Sequence, residues 1–410
     1  MNVFEEFTWR GMVSEATDGV RDALATGRVT AYIGFDPTAS SLHVGSLLTV
    51  MGLARLQRFG HSPIAIVGGG TGMIGDPSGK SLERVLLSKE QIDDNVGGIK
   101  AQLSRFLDFD TAPNAARIVN NADWLGTIDV LSFLREAGKH FSIGYMLQKE
   151  SVSRRMESED GISYTEFSYL VLQAYDFLQL FDRHGCTLQM GGSDQWGNIT
   201  AGIELIRKVR GKKAHGLVWP LMKTAAGTKF GKTEAGTIWL DPALTSQYRF
   251  YQFWLNTDDR DVVHYLKVFT WLDRAAIDRL EGALAAAPAV REAQRTLARE
   301  VTLMVHGVDG LALAERETAA QFGGGDDAEI PAIVLAASDF AEGMANTDFM
   351  VAISLAPSKS EAARTIKQGG FYVNDERVTN ERGRVTPADV IDGRIKARKG
   401  QRERRIVRIT

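Results

Sequence analysis

At 410 residues the chain exceeds what one hydrophobic core ordinarily supports, which excludes a single small domain and predicts two or three. Hydrophobic residues at 44% and charged residues at 24% are those of a globular protein, and a net charge of −3 excludes attraction to nucleic acid by the molecule as a whole. The single cysteine, Cys186, excludes an intrachain disulfide and predicts a reducing compartment.

The first residues, Met-Asn-Val-Phe-Glu-Glu-Phe, are acidic and lack the apolar run of a secretory signal. No stretch reaches the ~18 consecutive apolar residues of a membrane span, so a cytoplasmic setting is expected. Residues 29–33 predict a strand and 43–59 the helix after it; 64–67, 117–119 and 187–190 predict three more strands, and 199–209 a second helix. Strands alternating with helices predict βαβ units and a parallel sheet, an α/β Rossmann-like domain over residues 1–241. Residues 125–159 are helical in pattern and interrupt that alternation, as an insertion between two halves of the sheet does. Residues 246–322 have the composition and periodicity of packed helices. Gly323-Gly324-Gly325-Asp326-Asp327 opens a predicted linker over 323–347. In the last zone, 348–410, the charge changes sign: Arg394, Lys396, Arg398, Lys399, Arg402, Arg404, Arg405 and Arg408 face only Glu403. A charge run is most often a solvated tail, but here strand-forming Ile406, Val407 and Ile409 are mixed in, which predicts a folded basic surface for nucleic acid.

Gly70-Thr-Gly72-Met-Ile-Gly75 has the spacing of a dinucleotide fingerprint, which is informative only where it opens a helix. It runs instead into Asp76-Pro77-Ser78-Gly79, a turn sequence whose aspartate would repel a pyrophosphate. A dehydrogenase reading is set aside.

Tyr32-Ile-Gly-Phe-Asp-Pro-Thr38 leads into Leu42-His43-Val44-Gly45-Ser46 at a predicted helix start, where free N–H groups and the positive dipole end attract an anion. Thr38 and His43 add side-chain donors, and Gly45 leaves room for a flat base. Lys229-Phe230-Gly231-Lys232-Thr233 lies among glycines, so its two lysines can close over a triphosphate. Taken alone, His43 is an ordinary capping histidine and the lysines an ordinary loop; together they are a strong signal. On the predicted helix 165–180, apolar nearly all round, Tyr169, Gln173 and Asp176 fall at i, i+4 and i+7. A polar stripe on a buried helix requires partners, and a cavity with a polar ligand supplies them.

The pair at 43 and 229–233 resembles the HIGH and KMSKS signatures of class I aminoacyl-tRNA synthetases. GFDPTASSLHVG, GGGTGMIGDPSGK, YTEFSYLVLQAYDF and GGSDQWGNITAG resemble bacterial tyrosyl-tRNA synthetases, and the likeness runs through the whole chain. Ser358 to Arg364 and Gly370 to Val378 are similar to an S4-type RNA-binding domain.

The resemblance implies that tyrosine is activated by ATP to tyrosyl-adenylate and passed to the terminal adenosine of tRNA(Tyr), with Mg²⁺ held mainly by the phosphates. It implies that Tyr32 and Asp176 grip the phenolic hydroxyl. Asp76, Tyr169 and Gln173 hold the ammonium group, and Gln195 lies beside the tyrosine carboxylate. Gly34, Asp36, Gly45, Gly192 and Asp194 meet the nucleotide. Thr38 and His43 bind the terminal phosphates against Lys229, Lys232 and Thr233, with Lys80 and Arg84 adding charge. A homodimer through the helices near residues 125–147 and an anticodon-side role for 246–322 are also implied. Four positions depart from the family pattern: Ser46 in the HIGH-like turn, Phe230-Gly231 for Met-Ser, and apolar Ile33 where a small or thiol residue is common. The rival readings are a tryptophanyl-tRNA synthetase-like enzyme, which needs no hydroxyl grip, and a non-catalytic RNA-binding protein on the same fold.

Overall fold

The structure is a computed structural model that describes residues 1–78, 87–157, 161–228, 230–233, 236–322, 332–391, 393–400 and 403–409. The chain forms two compact units, one of residues 1–245 and 253–305, the other of 246–252 and 306–410.

In the first unit, six strands form one sheet in the order β1-β6-β5-β2-β3-β4. They are β1 (Glu15–Ala16), β2 (Thr30–Phe35), β3 (Ser62–Val67), β4 (Arg117–Asn120), β5 (Cys186–Gly192) and β6 (His215–Trp219). All neighbours run parallel except the short edge strand β1. Central strands such as Ser62-Pro-Ile-Ala-Ile-Val67 are continuously apolar because helices cover both faces of a parallel sheet. Every strand expected from the sequence is present, with ends that differ by at most two residues: β2 runs 30–35 against an expected 29–33, and the other three extend by one or two residues at one or both ends.

The helices of this unit are α1 (Val3–Trp9), α2 (Val20–Thr26), α3 (Leu47–Arg58), α4 (Lys89–Leu103), α5 (Ala122–Leu125), α6 (Val130–Glu136), α7 (Ile143–Leu147), α8 (Glu150–Met156), α9 (Tyr164–His184) and α10 (Trp196–Arg210). Helix α9 starts where the Ser163 hydroxyl accepts the Glu166 N–H at 3.2 Å and stops at Gly185, whose φ of 61° only glycine adopts freely. Its Leu170, Val171, Ala174, Phe177 and Leu178 share a core with Tyr32, Ile64, Ile66 and Ala201. Each large apolar side chain buried there contributes roughly 2 kcal/mol. That core fixes the face of α9 that carries the polar stripe.

After the hairpin β7 (Lys232–Thr233) and β8 (Gly236–Thr237) come α11 (Gln247–Leu255), α12 (Asp259–Phe269), α13 (Arg274–Ala286) and α14 (Glu292–Phe322), the last broken at Gly307. No strand occurs between 246 and 322, as the periodicity predicts.

The second unit holds a five-stranded sheet in the order β12-β11-β14-β15-β9. Its strands are β9 (Ala332–Leu335), β11 (Phe371–Val373), β12 (Glu376–Val378), β14 (Arg394–Lys399) and β15 (Glu403–Ile409), with a small β10 (Met344–Ala345) and β13 (Arg384–Val385) pair beside it. Helices α15 (Ala337–Phe340), α16 (Asn346–Ala352) and α17 (Lys359–Lys367) complete the unit, and Phe349, Met350, Ile366, Phe371, Ile395 and Val407 fill its core. The turn between β11 and β12 places Asn374 and Asp375 at φ 48° and 66°, two residue types that tolerate this region. The reading of 323–347 as linker is corrected here. Residues 332–335 form β9, parallel to β15, with Ile333 and Leu335 packed on the core. Four strand-forming residues behind a glycine and acid run carry too little local signal to outweigh it. Residues 323–331 lie outside the described residues.

Candidate active site

Strand order reverses between β2 and β5, and open parallel sheets leave a ligand crevice at the carboxyl ends of such strands. A cleft of about 830 Å³ lies there. Tyr32, Gly34, Asp36, Thr38, His43, Gly45, Asp76, Tyr169, Gln173, Asp176, Gly192, Asp194 and Gln195 all line it. Of the other predicted residues, Lys80, Arg84 and Lys229 lie outside the described residues, and Lys232 and Thr233 are described only as the strand β7.

The deep end is polar but closed to water. Asp176 is 4% exposed; its Oδ1 accepts the Trp124 indole N–H at 2.7 Å and its Oδ2 accepts the Asn121 amide at 2.9 Å. Burial pushes this carboxyl up to about 7, a rise opposed by those two donors and supported by the nearby charge of Asp36. Tyr32 is 1% exposed, and among the described residues its hydroxyl has no hydrogen-bond partner. Burial and then Asp176 raise its pKa well above the ordinary value. The Oε1 of Gln189, which pairs with Tyr32 across β2 and β5, is likewise buried without a partner. Buried polar atoms left unpaired cost about 1–3 kcal/mol each, so this end fits a ligand that brings its own hydroxyl.

Midway, Asp76 and the glutamines form one network. Asp76 Oδ2 accepts from Gln195 Nε2 at 2.8 Å, and its Oδ1 accepts the Ser78 N–H at 2.9 Å. Gln173 donates to Gln195 Oε1 at 3.2 Å and accepts from Asn198 at 2.9 Å. Tyr169 donates its hydroxyl to Asp36 at 3.3 Å, and Thr71 donates to the same carboxylate at 3.3 Å. The resemblance assigned Asp36 to the nucleotide and Tyr169 to the ammonium group; the fold brings the two into contact. An ideal Cβ on Gly68 would come within 2.6 Å of Asp36 Oδ1, so only glycine fits beside that carboxylate. At the other wall, a Cβ on Gly192 would meet Asp194 Oδ1 at 2.6 Å, so that carboxylate lies against bare backbone.

At the mouth, the predicted helix start is displaced. Val44 to Ser46 is a 3-10 turn, and α3 begins at Leu47. The Val44 N–H is not free for an anion, because it donates to the Ile238 carbonyl at 3.0 Å while Leu240 N–H donates to Leu42 O at 2.9 Å. The His43 ring folds back over Gly45, where an ideal Cβ would lie 2.8 Å from its Cε1, and meets Trp239 edge-on at 6.0 Å. Gly45 thus makes room for His43 itself. The departure at 230–231 also has a physical account. Phe230 is buried among Phe253, Trp254, Tyr265 and Phe269, with ring centroids 4.9 to 5.7 Å away. Gly231, at φ 81°, passes so close to Val44 that a Cβ would sit 2.7 Å from its Cγ2. The apolar Ile33 is 2% exposed and lines the cleft.

Sequence reasoning missed Asn121, Trp124, Thr71, Ser78, Gln189, Asn198 and Trp239. None lies on a periodic apolar run that would single it out. Thr71, Ser78 and Asn198 stand within the GGGTGMIGDPSGK and GGSDQWGNITAG segments, where their spacing alone gives them no role.

Comparison with known proteins agrees with this geometry. Residues 24–323 match the family described as tRNA synthetases class I (W and Y), and residues 348–391 match the S4 domain. A tyrosine–tRNA ligase of Roseiflexus castenholzii is 54% identical over 99% of this chain and 99% of its own. One of Geobacillus stearothermophilus is 51% identical over the full length of both. The crystal structure of a C-terminally truncated mitochondrial tyrosyl-tRNA synthetase from Aspergillus nidulans superposes with a TM-score of 0.72 at 30% identity, over 78% of this chain and 94% of that one. The chain belongs to the class I tRNA synthetases of the tryptophan and tyrosine kind, and carries an S4 domain.

Proposed function

We infer that this chain carries out the reaction of a tyrosine–tRNA ligase. The observation that carries the choice of amino acid is the closed polar end of the cleft: a buried Tyr32 hydroxyl without a partner beside the Asp176 carboxylate. A tyrosine phenol satisfies both, donating to Asp176 and accepting from Tyr32. Phenylalanine or tryptophan brings no hydroxyl oxygen to the buried Tyr32 hydroxyl and leaves it unpaired, which costs free energy.

Tyrosine's carboxylate attacks the α-phosphorus of ATP, the bond to the bridging oxygen breaks, and pyrophosphate leaves. The attacking group is already ionised at neutral pH, so no general base is required. Asp76, Tyr169 and Gln173 hold the ammonium group, and Gln195 orients the carboxylate toward the phosphorus. Gly34, Asp36, Gly45, Gly192 and Asp194 receive the nucleoside. Thr38 and His43 bind the terminal phosphates opposite Lys229, Lys232 and Thr233, with Lys80 and Arg84 steadying the departing pyrophosphate. Catalysis is then positioning and charge stabilisation. The cleft carboxylates Asp36 and Asp76 are engaged by Tyr169, Thr71, Gln195 and Ser78, so Mg²⁺ would be held mainly by the nucleotide's own phosphates and would supply neutralising charge there. In the second step a hydroxyl of the terminal adenosine of tRNA(Tyr) attacks the tyrosyl carbonyl and AMP leaves.

The reading extends to residues 246–322 as an anticodon-side helical domain and 348–410 as the RNA-binding domain, in a cytoplasmic homodimer. Support for the dimer comes from Val130, Leu131 and Ile143, apolar residues 60% to 78% exposed on α6 and α7. No described helix is long and apolar enough to cross a membrane.

ATP–pyrophosphate exchange with tyrosine, tryptophan and phenylalanine, followed by charging of tRNA(Tyr), tests the assignment. Exchange with tyrosine alone supports it. Exchange with tryptophan favours the tryptophanyl reading, and RNA binding without exchange favours the non-catalytic one.

A further inference from the structure

Helix α4 carries no residue to which a role in the reaction has been given, yet one of its faces holds the turn that leads to His43. Asn95 and Gln102 are seven residues apart, two helical turns, and therefore project on the same side. Asn95 Nδ2 donates to the Pro37 carbonyl at 2.9 Å. Gln102 uses both ends of its amide: Oε1 accepts the Leu42 N–H at 2.8 Å and Nε2 donates to Ser41 Oγ at 2.9 Å. Ser41 is 4% exposed, and its hydroxyl donates to the Leu42 carbonyl at 2.7 Å while accepting the Asp241 N–H at 3.1 Å. One hydroxyl therefore joins the helix, the turn and the segment that follows the β7–β8 hairpin. Gln102 fixes the Ser41–Leu42 peptide, one ahead of the peptide that leads into His43, and Asn95 fixes the Pro37–Thr38 peptide immediately before Thr38.

We propose that Gln102 is a positioning residue for adenylate formation, acting through the 37–42 turn to hold Thr38 and His43 where the terminal phosphates of ATP are bound. The proposal rests on the phosphate-binding reading of Thr38 and His43. Gln102 does not touch substrate. Its amide can satisfy an N–H and a hydroxyl oxygen simultaneously, a combination that an apolar side chain of similar size lacks. Removing it leaves the Leu42 N–H without its partner and allows the turn to relax by fractions of an ångström. A misplacement of about 1 Å in a positioned group costs about 10²-fold in rate.

The test uses the full chain and four variants: Gln102→Ala, Gln102→Glu, Thr38→Ala and the double variant Gln102→Ala/Thr38→Ala. Tyrosine binding is measured by equilibrium dialysis, and adenylate formation by single-turnover kinetics over a range of ATP concentrations. The expected result is a tenfold or greater loss in adenylate formation for Gln102→Ala with tyrosine affinity within twofold of the parent. The double variant should be little slower than Thr38→Ala alone, because coupled residues are not additive. Gln102→Glu should recover only part of the loss, since a carboxylate still accepts the Leu42 N–H but takes the Ser41 proton only by releasing the Leu42 carbonyl. Independent, multiplicative losses would overturn the proposal, and so would equal losses of tyrosine binding and chemistry, which mark a residue that merely supports the cleft. A parent protein without tyrosine-dependent exchange overturns the functional reading itself. A parent that is active but insensitive to Gln102→Ala overturns only this inference.

Discussion

The indole N–H of Trp124 points at Asp176 Oδ1 from 2.7 Å, and that bond is what keeps a carboxylate usable in a site closed to water. Burial raises the Asp176 pKa to about 7, and Trp124 and Asn121 hold it from rising further. Only the ionised form offers the phenol an acceptor without a competing proton. Tyrosine affinity should therefore fall as pH drops below about 7. Trp124→Phe should move that midpoint upward and weaken tyrosine binding at pH 7 by roughly tenfold, the scale of one hydrogen bond to a charged group. Tyrosine titrations from pH 6 to 9 check both, and a midpoint that does not move would mean the indole serves packing alone.

The same group ties stability to pH. In the ligand-free protein the folded-state pKa of Asp176, about 7, lies above the unfolded value of about 4. Between those values the folded chain keeps a proton that the unfolded chain has released, so stability declines as pH rises through the window and levels off above it. The full decline from this residue is on the order of 4 kcal/mol at most. Asp176→Asn removes it. The difference in urea-unfolding free energy between variant and parent should shift in the variant's favour from pH 4 to 7, and parallel curves would contradict the raised pKa.

How far the site was legible depended on where each residue sits. Tyr169, Gln173 and Asp176 stand out because they are a polar stripe on an otherwise apolar helix, a pattern visible at a spacing of four and three residues. Asn121 and Trp124, which hold Asp176, lie 55 and 52 residues from it in sequence, at the start of and within the one-turn helix α5, where no periodicity marks them. The hidden strand β9 fails to show for a related reason. Its partner among the described residues, β15, is some seventy residues away, and parallel pairing at that range leaves no local trace. At the cleft mouth the pairing of Leu42–Val44 with Ile238–Leu240 is again non-local, and it takes up an N–H that the helix-start pattern offered to the anion.

Tyr32 carries opposite consequences for folding and function. Its hydroxyl is buried without a partner, so Tyr32→Phe should leave the ligand-free protein as stable as the parent, or about 1–3 kcal/mol more stable. The same change removes one of the two groups that distinguish a phenol from a phenyl ring. Relative rates of exchange with tyrosine and phenylalanine should converge by roughly tenfold, about 1.4 kcal/mol at 25 °C. A destabilised variant with undiminished selectivity would show that the hydroxyl is satisfied within the protein and not by substrate.

Phe230 anchors the segment that precedes β7. Emptying its aromatic cage by Phe230→Ala should cost about 3–5 kcal/mol of stability, as for other buried Phe→Ala changes. Under conditions where the variant is folded, adenylate formation should slow more than tyrosine binding weakens, because Gly231 and the following residues lose their register against Val44 and Gly45. Phe230→Leu should fall between the two. Thermal melts and single-turnover kinetics on the three proteins decide it, and equal chemical rates would show that the cage holds the fold without setting the loop.

If the second unit holds the tRNA, as proposed, the two half-reactions respond separately to changes in it. On β14 and β15, Ile395, Ala397 and Val407 face the core, so Arg394, Lys396 and Arg408 alternate onto the opposite face, with Arg394 and Arg408 directly paired in register. Basic side chains on one face of adjacent strands suit contact with the phosphates of a polyanion. Replacing all three by glutamine should leave tyrosine-dependent ATP–pyrophosphate exchange unchanged, because no residue of the cleft lies in that unit. The affinity for tRNA(Tyr) should drop, and the slope of log K against log salt should become shallower by roughly two to three, one counterion per lost phosphate contact. Filter binding across salt concentrations measures the slope directly. An unchanged slope with unchanged affinity would place the tRNA elsewhere on the domain, whereas a loss of exchange would mean that the two half-reactions are not divided between the units.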